Sequence, residues 1–563
     1  MVGLRVQDEG KERASLKNEK SGYKTGPARK LLGLKGTRRQ SGAGDSDIGV
    51  IKKSGLAAID YRLLGTIAAV CVTFALALVK YSAVTSYTSF DYQDGAAFLY
   101  NAAYLAGLHS SFLIIDGYPP AFPLLLSLLF RVNGPAIADG WALSIALFFV
   151  SMVACFWISR RMMNPYFAVM ASVSFGLSPQ VYEWAGMIIT NVEGVAIAAT
   201  AFAALVYATR ANKWIYLVGF PLVALASLTR FTMITVIIPA AIYLVLERSR
   251  VRQKLRFVLG GLIMFALTAV IVSYQWIATA ISQNDVGELL PPPLTGQNTL
   301  GGTYYVVHFA TDLAPGVYGV ILSALFVCSV GYIAYETFRK KYSRIDPAIY
   351  ALLAWFLALF LYYSLLWPSP ALRYSLDFAM PVMILGFWFL SKVFGVLRSQ
   401  INSKAGKSKP YLALLLVAAV VIGTSYPAFA SAVYVTTTPP YSYQPDYSQL
   451  NVGVSQAYAW LQGNVNSSVR IAANGGGWLF QAMAPRYIVD PFYPGSDCNS
   501  LKRELAHYGD GYLVIIPAIY VGDDSGCPFS SIQTNATFWE SVGVTPIQVI
   551  STEQGNITIF RVV

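Results

Sequence analysis

Apolar runs long enough to cross a bilayer recur along most of the chain, separated by short polar stretches. They fall at roughly 64–86, 138–158, 164–179, 192–209, 213–229, 231–247, 255–277, 314–337, 346–367, 373–395 and 410–433. The pattern predicts a polytopic α-helical membrane protein with about eleven transmembrane helices. Several runs are short and need a thinned bilayer or burial among other helices. Residues 95–108 and 120–131 read as two amphipathic helices lying at the outer interface rather than as spans. Counting 120–131 as a crossing would send every later basic cluster to the opposite side.

The pattern changes after residue 433. Short β-rich runs at Val469–Ala473, Tyr512–Ile516, Pro546–Ser551 and Ile557–Val562 alternate with helical stretches at 453–462 and 498–508. This predicts a small α/β domain over 434–563. Residues 1–62 form a third region, polar and without apolar periodicity. The transmembrane domain, 63–433, lies between the two and contains a long first outer loop, 87–137.

Charge orients the whole. Of 563 residues 55% are hydrophobic and 12% charged, about half the charge of a soluble chain. The net charge is +12, and residues 1–63 supply +7 of it through fourteen Lys/Arg against seven Asp/Glu. A disordered cytoplasmic tail attracted to anionic lipid suits this segment better than nucleic-acid binding, because it has few aromatics and no periodicity. The first apolar run sits behind that tail and is too long for a cleavable signal peptide. Basic clusters at Arg160–Arg161, Arg210 with Lys213, Arg248–Arg256, Arg339–Arg344 and Arg398–Lys409 alternate with connections poor in Lys/Arg. The positive-inside rule then puts the N-terminus in the cytoplasm and the C-terminal domain outside the cell. Three Asn-X-Ser/Thr sequons, at Asn466, Asn535 and Asn556, all fall on that outer side. Cys498 and Cys527 also lie there, where a disulfide is permitted. Cys71, Cys155 and Cys328 read as small core residues.

Candidate chemistry gathers at the outer edges. The first outer loop carries Asp91, Asp94 and Asp116 with no Lys or Arg before Arg131. Acids without basic partners at a membrane surface suit a proton acceptor or a metal site. A helix cap is the blander reading of Asp94, which precedes Gly-Ala-Ala-Phe-Leu. Glu183 and Glu193 flank a short outer turn, Arg230 follows Ser-Leu-Thr at another, and Arg373-Tyr374 opens a late span with Asp377 one turn on. Arg373 and Asp377 could simply pair on one helix face. The functional reading brings these acids and arginines into one outer cavity, where arginine grips a phosphate through paired donors.

In this order the residues resemble the GT-C glycosyltransferases, especially the protein O-mannosyltransferases and lipid A aminoarabinose transferases, over most of 64–395. The resemblance rests on Asp94 with Phe98 in the first outer loop and on Pro119-Pro120 opening a juxtamembrane helix. Further on it rests on Glu193 before a small-residue span, on Leu228–Thr232 with Pro239, and on Arg373-Tyr374 with Pro381. It differs at Asp94-Gly95, where the family often has Asp-Glu. The Trp-Trp-Asp-Tyr-Gly signature of oligosaccharyltransferases is absent, which argues against transfer of a whole glycan.

The resemblance implies a GT-C fold with outer juxtamembrane helices and an inverting sugar transfer from a polyprenyl-phosphate donor to a hydroxyl of a glycan, protein or lipid. It implies Asp94, helped by Asp91, as catalytic base, and Arg373, Tyr374 and Arg230 as ligands of the donor phosphate. Asp116, Glu193 and His109 become candidate substrate contacts. A divalent metal, magnesium or manganese, at Asp91 and Asp94 is compatible with this chemistry but not demanded by it. The partners are the bilayer, the lipid-linked donor and the acceptor; nucleic acid is not among them. A transporter or flippase is the rival, and it predicts mid-span charge and an internal repeat; no repeat is visible, and the spans are almost free of mid-membrane charge. A third reading is a scaffold displaying the C-terminal domain. There the run Asn474-Gly-Gly-Gly-Trp478 reads as a turn, since it lacks a Walker lysine.

Overall fold

The structure is a computed structural model. It describes residues 61–85, 93–107, 118–134, 136–282, 301–339, 344–366, 372–403, most of 419–433, and in the C-terminal part 445–466, 469–474, 488–492, 511–515, 539–540, 543–552 and 555–562. In chain order the helices are α1 (Tyr61–Thr85), α2 (Gln93–Leu105), α3 (Ala121–Asn133), α4 (Ile137–Met162), α5 (Pro165–Gly176), α6 (Pro179–Trp184), α7 (Thr190–Arg210) and α8 (Tyr216–Thr229). They continue with α9 (Ile237–Leu246), α10 (Arg248–Arg252), α11 (Leu255–Ser282), α12 (Gly301–Leu313), α13 (Val317–Phe338), α14 (Pro347–Leu361), α15 (Leu376–Ser403) and α16 (Pro445–Asn464).

Local sequence sets several starts. Asn164, Ser178 and Asp346 each precede a proline, and each side chain accepts a backbone N–H of the following turn, from Phe167, Val181 and Ala348. An oxygen-bearing cap followed by proline at the first helical position is preorganised for a helix. Gly134, at φ 79°, ends α3 in a conformation that glycine adopts without strain.

Seven described helices are long and apolar enough to cross a membrane: α1, α4, α7, α11, α13, α14 with the turn after it, and α15. Three further expected spans appear as shorter apolar helices at 165–176, 213–229 and 231–246. Most of the last, 410–433, lies outside the described residues. The helices differ in what covers them. α7 is mostly buried and forms the centre of the bundle, packing on α4 and α8. α11 is apolar all round yet nearly uncovered, with Leu259, Ile263, Val270 and Ile271 exposed. In water such a face would aggregate; it suits hydrocarbon. The 21 residues of α7 span roughly 30 Å at about 1.5 Å per residue, the thickness of a bilayer core.

Four of the basic residues read as cytoplasmic meet at one end of this bundle. Arg210 at the end of α7 holds Glu247 (2.6 Å) and Asp346 (3.3 Å), Arg161 holds Asp346 (3.1 Å), and Arg250 holds Glu247 (3.2 Å). Lys254 Nζ donates to the carbonyls of Ala208 (2.9 Å) and Thr209 (2.8 Å), satisfying the last turn of α7. The residues described in the next subsection lie at the opposite ends of α7 and α14.

The expected α/β part contains a five-stranded sheet in the order β2-β1-β3-β5-β4. β1 (Arg470–Asn474) is parallel to β2 (Ile488–Phe492) and β3 (Tyr512–Ile515), and β5 (Gly555–Val562) is antiparallel to β3 and β4 (Val544–Thr552). Residues 498–508, Cys498, Cys527 and Asn535 lie outside the described residues. An apolar cluster joins this part to the membrane domain. Phe98 and Leu99 of α2 and Phe122 and Phe130 of α3 share it with Leu461 of α16 and Ile559 of β5.

Close helix contact yields one stability prediction. Gly319, in the first turn of α13, faces the backbone carbonyls of Ala310 and Ala314, and a Cβ there would strike both. Backbone cannot rotate away, so Gly319→Ala is expected to cost about 1–3 kcal/mol. Gly331 lies on the same helix, and a Cβ added there would meet nothing within 4 Å. Gly331→Ala should therefore raise stability by about 0.5–1 kcal/mol. Thermal melts of the two variants in detergent check the contrast.

Candidate functional site

Four chain segments supply the site. α7 opens with Asn191 and Glu193 in its first turn. α8 ends at Thr229, and Arg230 follows in an extended conformation before a 3₁₀ turn, Phe231–Val236, that carries Thr232. α14 runs into a π-helical turn, Tyr362–Leu366, that carries Tyr363; such turns often occur at functional sites. A 3₁₀ turn, Leu372–Tyr374, leads into α15, where Asp377 lies in the first turn.

These segments converge on the Asp377 carboxylate, which is fully buried. Its Oδ2 accepts from Arg230 Nε (2.9 Å), from Thr232 Oγ1 (3.2 Å) and, through a short bond, from the Tyr363 hydroxyl. Arg230 also donates through Nη1 to Asn191 Oδ1 (3.1 Å) and through Nη2 to the Tyr363 hydroxyl (3.3 Å). Asn191 Nδ2 in turn donates to the Arg373 carbonyl (3.1 Å). A buried ion pair depends on further hydrogen bonds to its two groups: here the guanidinium fork meets three partners from distant segments, while Oδ1 of the carboxylate has no partner among the described residues. The ion partner of Asp377 is therefore Arg230, not Arg373 one turn earlier.

Tyr374 is the meeting point of the two arginines. The Arg230 and Arg373 guanidinium carbons each lie 5.3 Å from its ring centroid. Tyr363 stacks on the same ring, with centroids 5.0 Å apart and planes at 11°. Arg373 is half-buried and donates from Nη2 to the Tyr374 hydroxyl (3.3 Å).

Glu193 is fully buried beside this network. The Ser144 hydroxyl of α4 and the Arg230 charge act on its carboxyl, but neither carboxylate oxygen has a well-formed hydrogen bond among the described residues. Gly194 explains the closeness: a Cβ there would lie 3.1 Å from Arg230 Cβ and 3.0 Å from Met233. Further polar ties occur at the same end. Ser375 donates to Gln180 Oε1 (2.7 Å), joining α15 to α6. Lys80 of α1 is buried, donates to the Glu183 carbonyl (3.3 Å) and sits 4.7 Å over the Tyr182 ring. Burial holds the Glu183 carboxyl above its ordinary range, with the Lys80 charge opposing the shift.

Asp94 falls in the first turn of α2. Leu99 of that helix and Ile188 of the turn before α7 both crowd the position a Cβ would take on Gly140 of α4. α2 therefore stands at the end of the bundle that holds Asn191, Arg230 and Arg373. Asp91, His109 and Asp116 lie outside the described residues. Among the described residues no three His, Cys, Asp or Glu side chains form a group able to hold a metal. Tyr363, Asn191 and Lys80 are the site residues that sequence reading passed over. A lysine inside an apolar run was the available signal for Lys80.

The sequence model of the dolichyl-phosphate-mannose-protein mannosyltransferase family matches residues 118–274. No curated protein sequence matches the chain. Among solved structures, the chain resembles ArnT from Cupriavidus metallidurans bound to undecaprenyl phosphate, with a TM-score of 0.62 at 10% identity, over 87% of this chain and 97% of that one. It also resembles the Archaeoglobus fulgidus oligosaccharyltransferase in complex with Zn and sulfate, with a TM-score of 0.51 at 14% identity, over 80% of this chain and 67% of that one.

Proposed function

We infer that this chain, a member of the GT-C glycosyltransferase superfamily, moves a sugar from a polyprenyl-phosphate-linked donor to a hydroxyl acceptor on the outer face of the membrane. The observation that carries this reading is the pair of arginines bordering Tyr374 at the end of the bundle where the first turn of α2 carries Asp94. The undecaprenyl phosphate of the ArnT structure suggests the class of donor. The end bearing Arg161, Arg210 and Lys254 is then the cytoplasmic one, by the positive-inside rule, and the C-terminal domain is extracellular.

Each residue has a task in the transfer. Asp94, helped by Asp91, takes the proton of the acceptor hydroxyl as its oxygen attacks the anomeric carbon. The bond to the phosphate oxygen breaks on the opposite face, so the configuration inverts. Negative charge grows on the departing phosphate, and Arg373 is placed to meet it. Arg230 has three donors engaged by Asp377, Asn191 and Tyr363; its charge adds to that of Arg373 while the network fixes its position. Glu193, Asp116 and His109 are the proposed substrate contacts. A transporter is the weaker reading, because the charge clusters of the described bundle sit at its two ends rather than mid-span.

The deciding experiment incubates the purified chain with labelled polyprenyl-phosphate sugars and membrane acceptors. Transfer of label to a hydroxyl with inverted configuration is expected. Failure with every donor, by a folded protein, overturns the reading. Adding or chelating magnesium and manganese in the same assay measures any part played by a metal at Asp91 and Asp94. Arg373→Ala is expected to raise the donor KM and lower kcat/KM by about tenfold to a hundredfold, the worth of a charge-assisted contact, with Arg373→Lys intermediate because it lacks the fork.

A further inference from the structure

A polar cavity lies at the other end of the bundle, beside the Arg161–Asp346 pair. It has a volume of about 680 Å³ and is bounded by the end of α4, the start of α5 and the second half of α15. Its polar lining is Arg160, Arg161, Asn164, Ser391, Lys392 and Ser399: three cations, three neutral groups and no acid. Asn164 caps α5, whose N-terminus is a partial positive charge at the cavity wall. Arg161 gives Nη2 to Asp346 (3.1 Å), yet its Nε is buried without a partner among the described residues.

Exposed apolar residues stand beside the cavity, on its α15 wall and on the turn of α4 that precedes Arg161. Trp157, one turn before Arg161 on α4, is 55% exposed, and Val396 of α15 is 58% exposed. Both spans end at this level, Met162 for α4 and Leu397 for α15, where acyl chains give way to headgroups. A free anion would use the cations and leave these apolar residues bare. An amphiphile would use both, and tryptophan is the residue enriched at that boundary.

We propose that this cavity binds the phosphate of an anionic membrane lipid, with the acyl chains lying against Trp157 and Val396. Lys392 faces the phosphate charge, and Ser391 and Ser399 supply hydrogen bonds. The site is separate from that of the sugar donor and stands whether or not sugar transfer is found.

Gly395 offers a test that spares the fold. It is exposed on α15 and a Cβ there meets nothing within 4 Å, so G395E brings a carboxylate to the cavity without a clash. The full chain, purified in neutral detergent, is titrated with palmitoyl-oleoyl phosphatidylglycerol, with the phosphatidylcholine analogue, and with free glycerol 3-phosphate. Native mass spectrometry reads the bound species. The wild type is expected to retain phosphatidylglycerol at least fivefold more tightly than phosphatidylcholine. G395E should lose about fivefold to tenfold of that binding, the scale of one charge near a membrane surface, while G395Q keeps it. K392Q should weaken it similarly and K392R should not. Equal retention by wild type, G395E and K392Q overturns the proposal. Glycerol 3-phosphate binding as tightly as the lipid overturns it too, since the ligand would then be a soluble anion.

Discussion

Replacing Asp94 by asparagine is expected to remove nearly all sugar transfer, by about a hundredfold to ten-thousandfold in kcat, while leaving the protein folded. The magnitude is that of general-base assistance. Asparagine keeps the shape of the side chain and serves helix N-termini about as well as aspartate. Asp94 lies in the first turn of α2, so loss of its charge forfeits about 0.3–1 kcal/mol of interaction with the helix dipole. That is too little to unfold a helix whose Phe98, Leu99 and Ala102 are buried. Asp94→Glu should retain more activity than Asp94→Asn, since it keeps a base though displaced by one methylene. Initial rates at saturating donor, beside a thermal melt of each variant, check both halves. Full activity in Asp94→Asn removes the assignment, and a collapsed melt would mean that the charge of Asp94 holds the fold.

Much of the membrane domain was legible in the sequence because its apolar runs are long and its basic clusters alternate. Three of those clusters lie at or just after the ends of α4, α7 and α9, and one arginine of each, Arg161, Arg210 and Arg250, pairs with Glu247 or Asp346. Lengths were harder to read. The run at 164–179 becomes a helix of only 12 residues, because Ser178-Pro179 caps a new helix at its end. Strand β2 was missed for a physical reason. Its Asp490-Pro491 argues against a strand, but β2 is an edge of the sheet, where proline is tolerated.

The site was legible in its charges but not in its pairing. Asp94, Glu193, Arg230 and Arg373 stood out as charges at the edges of apolar runs. Asp377 looked like a local partner of Arg373, four residues away. That rule requires one continuous helix, whereas Arg373 lies in a 3₁₀ turn that precedes α15. The real partner, Arg230, is 147 residues distant. Neutral members such as Asn191 and Tyr363 carry no signal in a single sequence, because hydroxyls and amides are frequent at span ends for many reasons.

That pairing makes Arg230→Gln the substitution with the largest expected cost to stability. It would leave the Asp377 carboxylate fully buried with only Thr232 and Tyr363 to answer its charge. Breaking a buried pair by removing one partner typically costs about 3–5 kcal/mol, and a glutamine that still donates one hydrogen bond would bring the loss toward the lower figure. Asp377→Asn in the Arg230→Gln background should recover part of it, because the unpaired charge is then gone; the two residues are in contact, so their effects should not add. Transfer should fall in every member of this cycle, since the Tyr363–Tyr374 stack and the Arg373 carbonyl are held through the same network. The contrast with Arg373→Ala separates the two arginines: Arg230→Gln should lower the melting temperature markedly, and Arg373→Ala should weaken donor binding with little change in melting. Equal melting of the two variants would mean that the Arg230–Asp377 pair is not what holds α7, α8 and α15 together at this end of the bundle.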